Sequence, residues 1–392
     1  MKKYRIFLNT SKHLIPCLNK ELLSLGFKEM SVAHAGIYLE ATFRDIMRLN
    51  LCLRSANHIF LLIKEFKCAN PDELYRQVYE IEWENIIPAD GYVSIFSNVS
   101  NATIRDNRFA NLKCKDAIVD RMVKIKGRRP DSGPLRDKTV VYLYWMDKHC
   151  AIYIDTSGES LSRRGYRKIP LKAPLQETLA AGIILSTKWQ GETHFVNPMC
   201  GSGTLAIEAA FIALNRAPGI LRENFGFMHT KLFSAPSLKE IRNELLKKEN
   251  KKLNSKIVAT DIDKIAIDAA LKNSSLAQVE NYIEFKDCDY KQTPLPEPPG
   301  TIIMNPEYGM RLGRPDELET LYREIGDFLK QKCSGFTAYV FSGNNDLLKK
   351  LRLKTERKLV FFNADIECRL YEYQLYQGSK RETGFTREHS QG

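Results

Sequence analysis

The sequence predicts an α/β protein in which a mostly parallel sheet, covered by helices on both faces, follows two smaller α+β modules. Three observations predict it. From Leu175 onward, strand-length apolar segments alternate with segments of helical period, the pattern of parallel strands joined by crossover helices. The first 60 residues read strand, helix, strand with small connections. Between these regions, residues 101 to 172 hold 17 lysines and arginines against 8 acidic residues, so a net charge of +9 out of the chain's +12 lies in under a fifth of its length.

Composition narrows the function classes. A chain of 392 residues with 43% hydrophobic content can bury a sizeable core, and its length suits two or three domains. A net charge of +12 and a pI near 9.1 favour a polyanionic partner, with nucleic acid leading. The nine cysteines form no Cys-x-x-Cys pair and do not cluster with the seven histidines, so no zinc site or disulfide framework is expected, only thiols in a reducing cytosol. The start, MKKYRIFLNTSKHLIPCLNKELLSLGF, lacks an apolar stretch of signal-peptide length. No segment approaches the roughly 20 apolar residues of a membrane span. A cytoplasmic protein without membrane attachment is expected.

In chain order, YRIFLN is a strand, IPCLNKELLSLGF a helix stopped at Gly26, and GIYLEATF an alternating strand. These form a first domain over 1–60. A second, over 61–155, contains the strand YVSIFSNVS, the helical run RFANLKCKDAIVDRMVKIKG, and the strands TVVYLYWM and CAIYIDTS. Its basic runs KIKGRRP and SRRGYRK mix arginine with glycine, proline or tyrosine, a composition suited to phosphate contacts rather than only to a solvated helix face. Lys124, Lys126, Arg128, Arg129, Arg163, Arg164 and Arg167 are therefore candidate nucleic-acid-binding residues. Ser, Gly and Pro mark residues 156–172 as a linker. The alternating helices and strands occupy 173–378, and 379–392 reads as a disordered polar tail.

In parallel sheets, ligands gather beyond the C-terminal ends of the strands. Four strand ends here carry polar residues that packing does not require. In FVNPMCGSGTLAIEAA, Gly201 and Gly203 allow a tight turn and close backbone approach, and the next helix offers free N–H groups. Gly201, Gly203 and Ala206 also satisfy a dinucleotide spacing, but the acidic residue that should follow about 20 positions later is absent from a strand end: Glu223 lies in GILRENFGF. Asp261 instead closes KIVATD, where a carboxylate can accept from two ribose hydroxyls, and residues 221 to 256 read as a basic insertion. Asp263 is better placed to cap the next helix. In IEFKDCDY, either Asp287 or Asp289 can accept from a purine amine.

The fourth end is NPEYG, residues 305 to 309. An amino group on a nucleobase is a poor nucleophile because its lone pair is delocalised into the ring. If the Asn305 side-chain oxygen and the Pro306 carbonyl both accept from that amine, they draw it towards tetrahedral geometry and aim the lone pair at an electrophilic methyl. Tyr308 would stack on the base, offsetting part of the few kcal/mol lost when the base leaves its stack. Catalysis of this kind rests on positioning.

NPMCGSGTLAIEAA, ATDID, NPEYG, KDAIVDRM, GRRP, NRAPGILREN and DTSGESLSRRGYR together resemble the THUMP-domain RNA methyltransferases, most of all the family that makes N2-methylguanosine in large-subunit (23S) ribosomal RNA. The resemblance spans nearly the whole chain. It implies a ferredoxin-like domain, a THUMP RNA-binding domain and a Rossmann-like class I methyltransferase domain that uses S-adenosylmethionine. It places Asn197, Pro198, Cys200, Gly201 and Gly203 at the methionine side of that cofactor, Asp261 at the ribose and Asp287 at the adenine. It makes Asn305, Pro306 and Tyr308 the catalytic turn, with Glu307 replacing the second proline of the family's Asn-Pro-Pro-Tyr. Glu307 is expected to face solvent or pair with Arg311. The implied partner is 23S ribosomal RNA or a large-subunit precursor, with no obligate protein partner and no metal. The alternatives are a tRNA guanine-N2-methyltransferase, an N6-adenine DNA methyltransferase, or an RNA assembly factor that keeps the cofactor fold without activity.

Overall fold

A computed structural model of the chain describes residues 2–104, 106–168, 175–309 and 315–376. The strands are β1 (Lys3–Asn9), β2 (Met30–Ala33), β3 (Gly36–Thr42), β4 (His58–Lys67), β5 (Tyr92–Ser100), β6 (Asp131–Ser132), β7 (Thr139–Met146), β8 (His149–Asp155), β9 (His194–Pro198), β10 (Ile257–Asp261), β11 (Ile283–Asp287), β12 (Gly300–Met304), β13 (Phe336–Ser342), β14 (Arg357–Asn363) and β15 (Ile366–Gln374). The helices are α1 (Ile15–Ser24), α2 (Phe43–Cys52), α3 (Pro71–Tyr79), α4 (Asn107–Lys126), α5 (Glu177–Leu185), α6 (Thr204–Ala213), α7 (Ala235–Lys247), α8 (Lys264–Leu276), α9 (Pro315–Lys332) and α10 (Asn345–Lys350). They divide into two compact units, one of residues 1–164 and 217–248, the other of 165–216 and 249–392.

The first unit is built on an eight-stranded sheet in the order β2-β3-β1-β4-β8-β7-β5-β6. Alternation along β1 sends Ile6 and Leu8 into the helix-covered core, while Phe7 faces the other way, in register with Tyr38 and Phe60. The helix starts follow from short polar side chains: Thr42 and Asp45 form a reciprocal capping box on α2, Asn70 caps α3 with Pro71 behind it, and Asp106 caps α4. Gly127, left-handed at φ 65°, ends α4. Two stretches hold more packed structure than the sequence alone reveals. Residues 156–164 are not a loose linker: Thr156 and Ser157 are buried, with their hydroxyls on Ile59 O and Asn50 Oδ1. The basic segment read as an insertion contains α7, and its Phe225, Phe227, Leu238 and Ile241 join the first unit's core. Its many charges hid apolar residues at helical spacing.

The second unit carries a seven-stranded sheet in the order β11-β10-β9-β12-β13-β15-β14. Its first five strands are parallel, and β15 runs antiparallel to both β13 and β14. The strand order reverses between β9 and β12, which makes that the topological switch point where ligands bind in open α/β sheets. Its central strands carry apolar runs, with Phe195, Val196, Val258, Ile302 and Ile303 at or near zero exposure, as strands buried on both faces require, and the polar Asn197 and Asp261 stand near the C-terminal ends. The polar tail expected at 379–392 lies outside the described residues, as do positions 169–172 of the expected linker.

Candidate active site

The loop between β9 and α6 is shaped by three residues in the left-handed region: Met199 (φ 56°), Gly201 (φ 54°) and Gly203 (φ 80°). Gly203 is also pressed from outside, since a Cβ there would lie 3.0 Å from the Ala270 methyl. At Gly201 nothing lies within 4 Å of such a Cβ, so open space flanks the loop at that point. The Asp261 carboxylate at the end of β10 holds this loop: Oδ2 accepts from the Gly201 N–H at 2.8 Å and Oδ1 from the Asp263 N–H at 3.0 Å. A carboxylate has about four lone-pair sites, so two remain for a ligand. The Cys200 N–H donates to Thr260 O at 2.9 Å, and burial pushes the Cys200 thiol well above its ordinary pKa. This cysteine packs as a neutral thiol and is not a nucleophile. Asp263 caps α8 through the Ile265 N–H.

One strand further out, Asp287 lies directly opposite Asp261 in the parallel register. The choice between Asp287 and Asp289, open in the sequence, narrows here. Asp289 is half-buried and its Oδ1 accepts from the Lys291 N–H at 2.8 Å, capping a short 3-10 turn, whereas Asp287 is exposed. Sequence reasoning missed Ile262, which stands 71% exposed beside Asp261 at the strand end. An isoleucine between two aspartates just past a buried strand was the available signal.

At the switch point itself two asparagines face the same problem. Asn197, fully buried in β9, donates from Nδ2 to Ile303 O at 2.8 Å and so joins β9 to β12, but its Oδ1 finds no hydrogen-bond partner. Asn305, just past β12, likewise has a buried Oδ1 without a partner. Leaving such an oxygen unpaired costs about 1–3 kcal/mol, so it marks a place where a donor is missing from the protein alone. Pro306 is buried and Glu307 is exposed to solvent; Arg311, its expected partner, lies outside the described residues. Tyr308 is half-buried, its hydroxyl accepts from Asn363 Nδ2 at 3.1 Å, and burial pushes its pKa up to about 12, so it stays a neutral phenol.

The basic candidates separate. Lys124 and Lys126 lie in the last turn of α4, and with Arg128 and Arg129 they are exposed around its C-terminus. Arg163 is exposed and paired with Glu159 at 2.8 Å. Arg164 and Arg167 are corrections. Arg164 is 1% exposed, and its guanidinium donates to Leu161 O at 2.6 Å and Arg54 O at 2.5 Å, which leaves no surface for a phosphate. Arg167 is paired with Glu177 and donates to Leu175 O and Thr204 Oγ1, so it fastens the start of α6. In sequence the two are indistinguishable from their exposed neighbours. Arg136, by contrast, went unnoticed: its guanidinium lies 3.3 Å from the Phe96 ring centroid. Among the described residues, no group of three His, Cys, Asp or Glu could hold a metal, and no helix is long and apolar enough to cross a membrane.

Three families match the chain: the RlmL ferredoxin-like domain over residues 5–60, the THUMP domain over 68–155, and the RMKL-like methyltransferase domain over 164–372. The chain is 38% identical over 376 residues to the ribosomal RNA large subunit methyltransferase K/L of Psychromonas ingrahamii, covering 94% of this chain and 50% of that protein. It spans about half the length of the curated relatives it matches. Among solved structures it is similar to SMU.472, described as a putative methyltransferase complexed with SAH (TM-score 0.87, 26% identity, 97% of this chain and 100% of that one). It is also similar to a Listeria monocytogenes protein described as a predicted N6-adenine-specific DNA methylase (TM-score 0.85, 28% identity, 96% and 97% covered).

Proposed function

The chain belongs to the RMKL-like methyltransferase family, and from that membership we propose that it transfers a methyl group from S-adenosylmethionine to the exocyclic N2 amine of a guanosine in 23S ribosomal RNA. The observation that carries this reading is the buried, unpartnered Asn305 Oδ1 directly after β12, at the switch point of the sheet. A nucleobase amine supplies the missing donor. Asn305 Oδ1 and the Pro306 carbonyl each accept one of its N–H groups, which localises the nitrogen lone pair and fixes its direction.

The residues present fit the cofactor. Bound S-adenosylmethionine would supply an electrophilic methyl on a sulfonium centre. Asn197, Pro198, Cys200, Gly201 and Gly203 line its methionine end, where the orphaned Asn197 Oδ1 can accept from an ammonium group. Asp261 holds the ribose with the lone pairs its two backbone contacts leave, and Asp287 takes the adenine amine. Ile262 supplies an apolar surface for the purine face. Lys124, Lys126, Arg128, Arg129 and Arg163 contact RNA phosphates.

RNA is favoured by the THUMP match, and large-subunit ribosomal RNA or its precursor in the cytoplasm by the relatives named as large-subunit methyltransferases. A second reading, adenine-N6 in DNA, is favoured by the Listeria neighbour and by the same acceptor turn, since both amines pose one electronic problem. The test is transfer from labelled S-adenosylmethionine to protein-free large-subunit RNA, total tRNA and duplex DNA, followed by nucleoside mass spectrometry. N2-methylguanosine in the ribosomal RNA alone is the expected result. The same nucleoside in tRNA moves the substrate, and N6-methyladenine in DNA overturns the reading.

A further inference from the structure

Tyr308 is gripped by residues that the Asn-Pro turn does not contain. Gly343, just past β13, lies against its ring: a Cβ there would come 2.6 Å from Tyr308 Cε2, 2.7 Å from Cδ2 and 2.9 Å from Ile366 Cγ2. Gly343 has no left-handed backbone to explain it, unlike Gly201 and Gly203, so its lack of a side chain answers to packing, first against the Tyr308 ring and then against Ile366. At the far end of the ring, Asn363 closes β14, pairs with Ile366 across the hairpin, and donates from Nδ2 to the Tyr308 hydroxyl at 3.1 Å. Cys368 on β15 offers its thiol to the same oxygen at 3.9 Å, a weaker contact. The turn is thus clasped by the antiparallel end of the sheet.

We propose that Gly343 and Asn363 are positioning residues that fix the plane of Tyr308, so that the β14–β15 hairpin sets where a target base is held against the Asn305 and Pro306 acceptors. The proposal rests on the reading of that turn as the amine site. Loss of the second proline of the family pattern, replaced by Glu307, frees a backbone torsion in this turn, and the clasp supplies from outside the restraint that proline would give from within.

The test combines crystal structures of Asn363→Ala and Gly343→Ala with kinetics on the substrate that the wild type methylates. Asn363→Ala should displace the ring and lower kcat/KM about tenfold, mostly through KM for the nucleic acid, with S-adenosylhomocysteine affinity within twofold. Asn363→Asp, which accepts the phenol proton, should recover most of the loss. In a double-mutant cycle, Tyr308→Phe with Asn363→Ala should be no worse than the poorer single variant. A ring that stays in place in both crystal structures, or additive losses in the cycle, overturns the proposal. If Gly343→Ala does not fold, Asn363→Ala carries the test alone. A wild type that methylates no substrate refutes the proposed function, and the position of the ring in the variant crystals then still decides whether the clasp exists.

Discussion

At the scale of single residues, the proposed function rests on a few polar atoms at the strand ends, while Arg164 and Arg167 are occupied by internal contacts. Asp261 accepts from two backbone N–H groups and still has lone pairs for a ribose. Asp261→Ala should therefore weaken S-adenosylhomocysteine binding by roughly ten- to a hundredfold, the worth of one charged hydrogen bond. Isothermal titration measures it; unchanged affinity would remove Asp261 from the cofactor site. Arg164 and Arg128 sit in runs that look alike in sequence, yet one is 1% exposed on backbone carbonyls and the other faces solvent. Arg164→Ala should lower unfolding stability by about 2 to 3 kcal/mol in urea titrations. Arg128→Ala should leave stability within about 0.5 kcal/mol. Equal effects from the two would contradict the assignment.

At the scale of elements, the strand ends place the site. The β9–α6 loop needs left-handed backbone at two glycines for different reasons, conformation at Gly201 and conformation plus packing at Gly203. Gly201→Ala should cost about 1 to 2 kcal/mol from the left-handed backbone alone, and Gly203→Ala more, because its methyl also meets Ala270. Denaturant midpoints of the pair check the order, and a smaller loss at Gly203 would contradict it. Much of this level was legible in the sequence, because periodicity and turn residues are local: YVSIFSNVS coincides with β5, and the KIVATD and NPEYG strand ends fall where the spacing put them. What was illegible depends on distant partners. The clasp on Tyr308 joins position 308 to 343 and 363, and the burial of Arg164 depends on carbonyls at 53 and 54. Neither leaves a local pattern.

At the scale of the whole molecule, charge and catalysis are separate properties. The exposed cluster at the C-terminus of α4 should set affinity for any RNA, and removing one cation that pairs with a phosphate should reduce the slope of log K against log salt by about 0.7 to 0.9. Replacing Arg128 and Arg129 together by alanine should thus flatten the slope by up to about 1.8 without changing which nucleoside is methylated. Filter binding across a salt series reads the slope; an unchanged slope would move the RNA surface elsewhere. On the proposed reading, catalysis belongs instead to the turn after β12. Its most direct measurement is single-turnover methyl transfer by Asn305→Ala beside the wild type, with cofactor affinity measured on both. If the buried Asn305 oxygen is the amine acceptor, the rate falls by about 10² to 10³, the usual effect of removing one preorganised hydrogen-bonding group from an active site, while S-adenosylhomocysteine affinity stays within about threefold. A variant that transfers methyl groups at the wild-type rate would contradict the account at its centre.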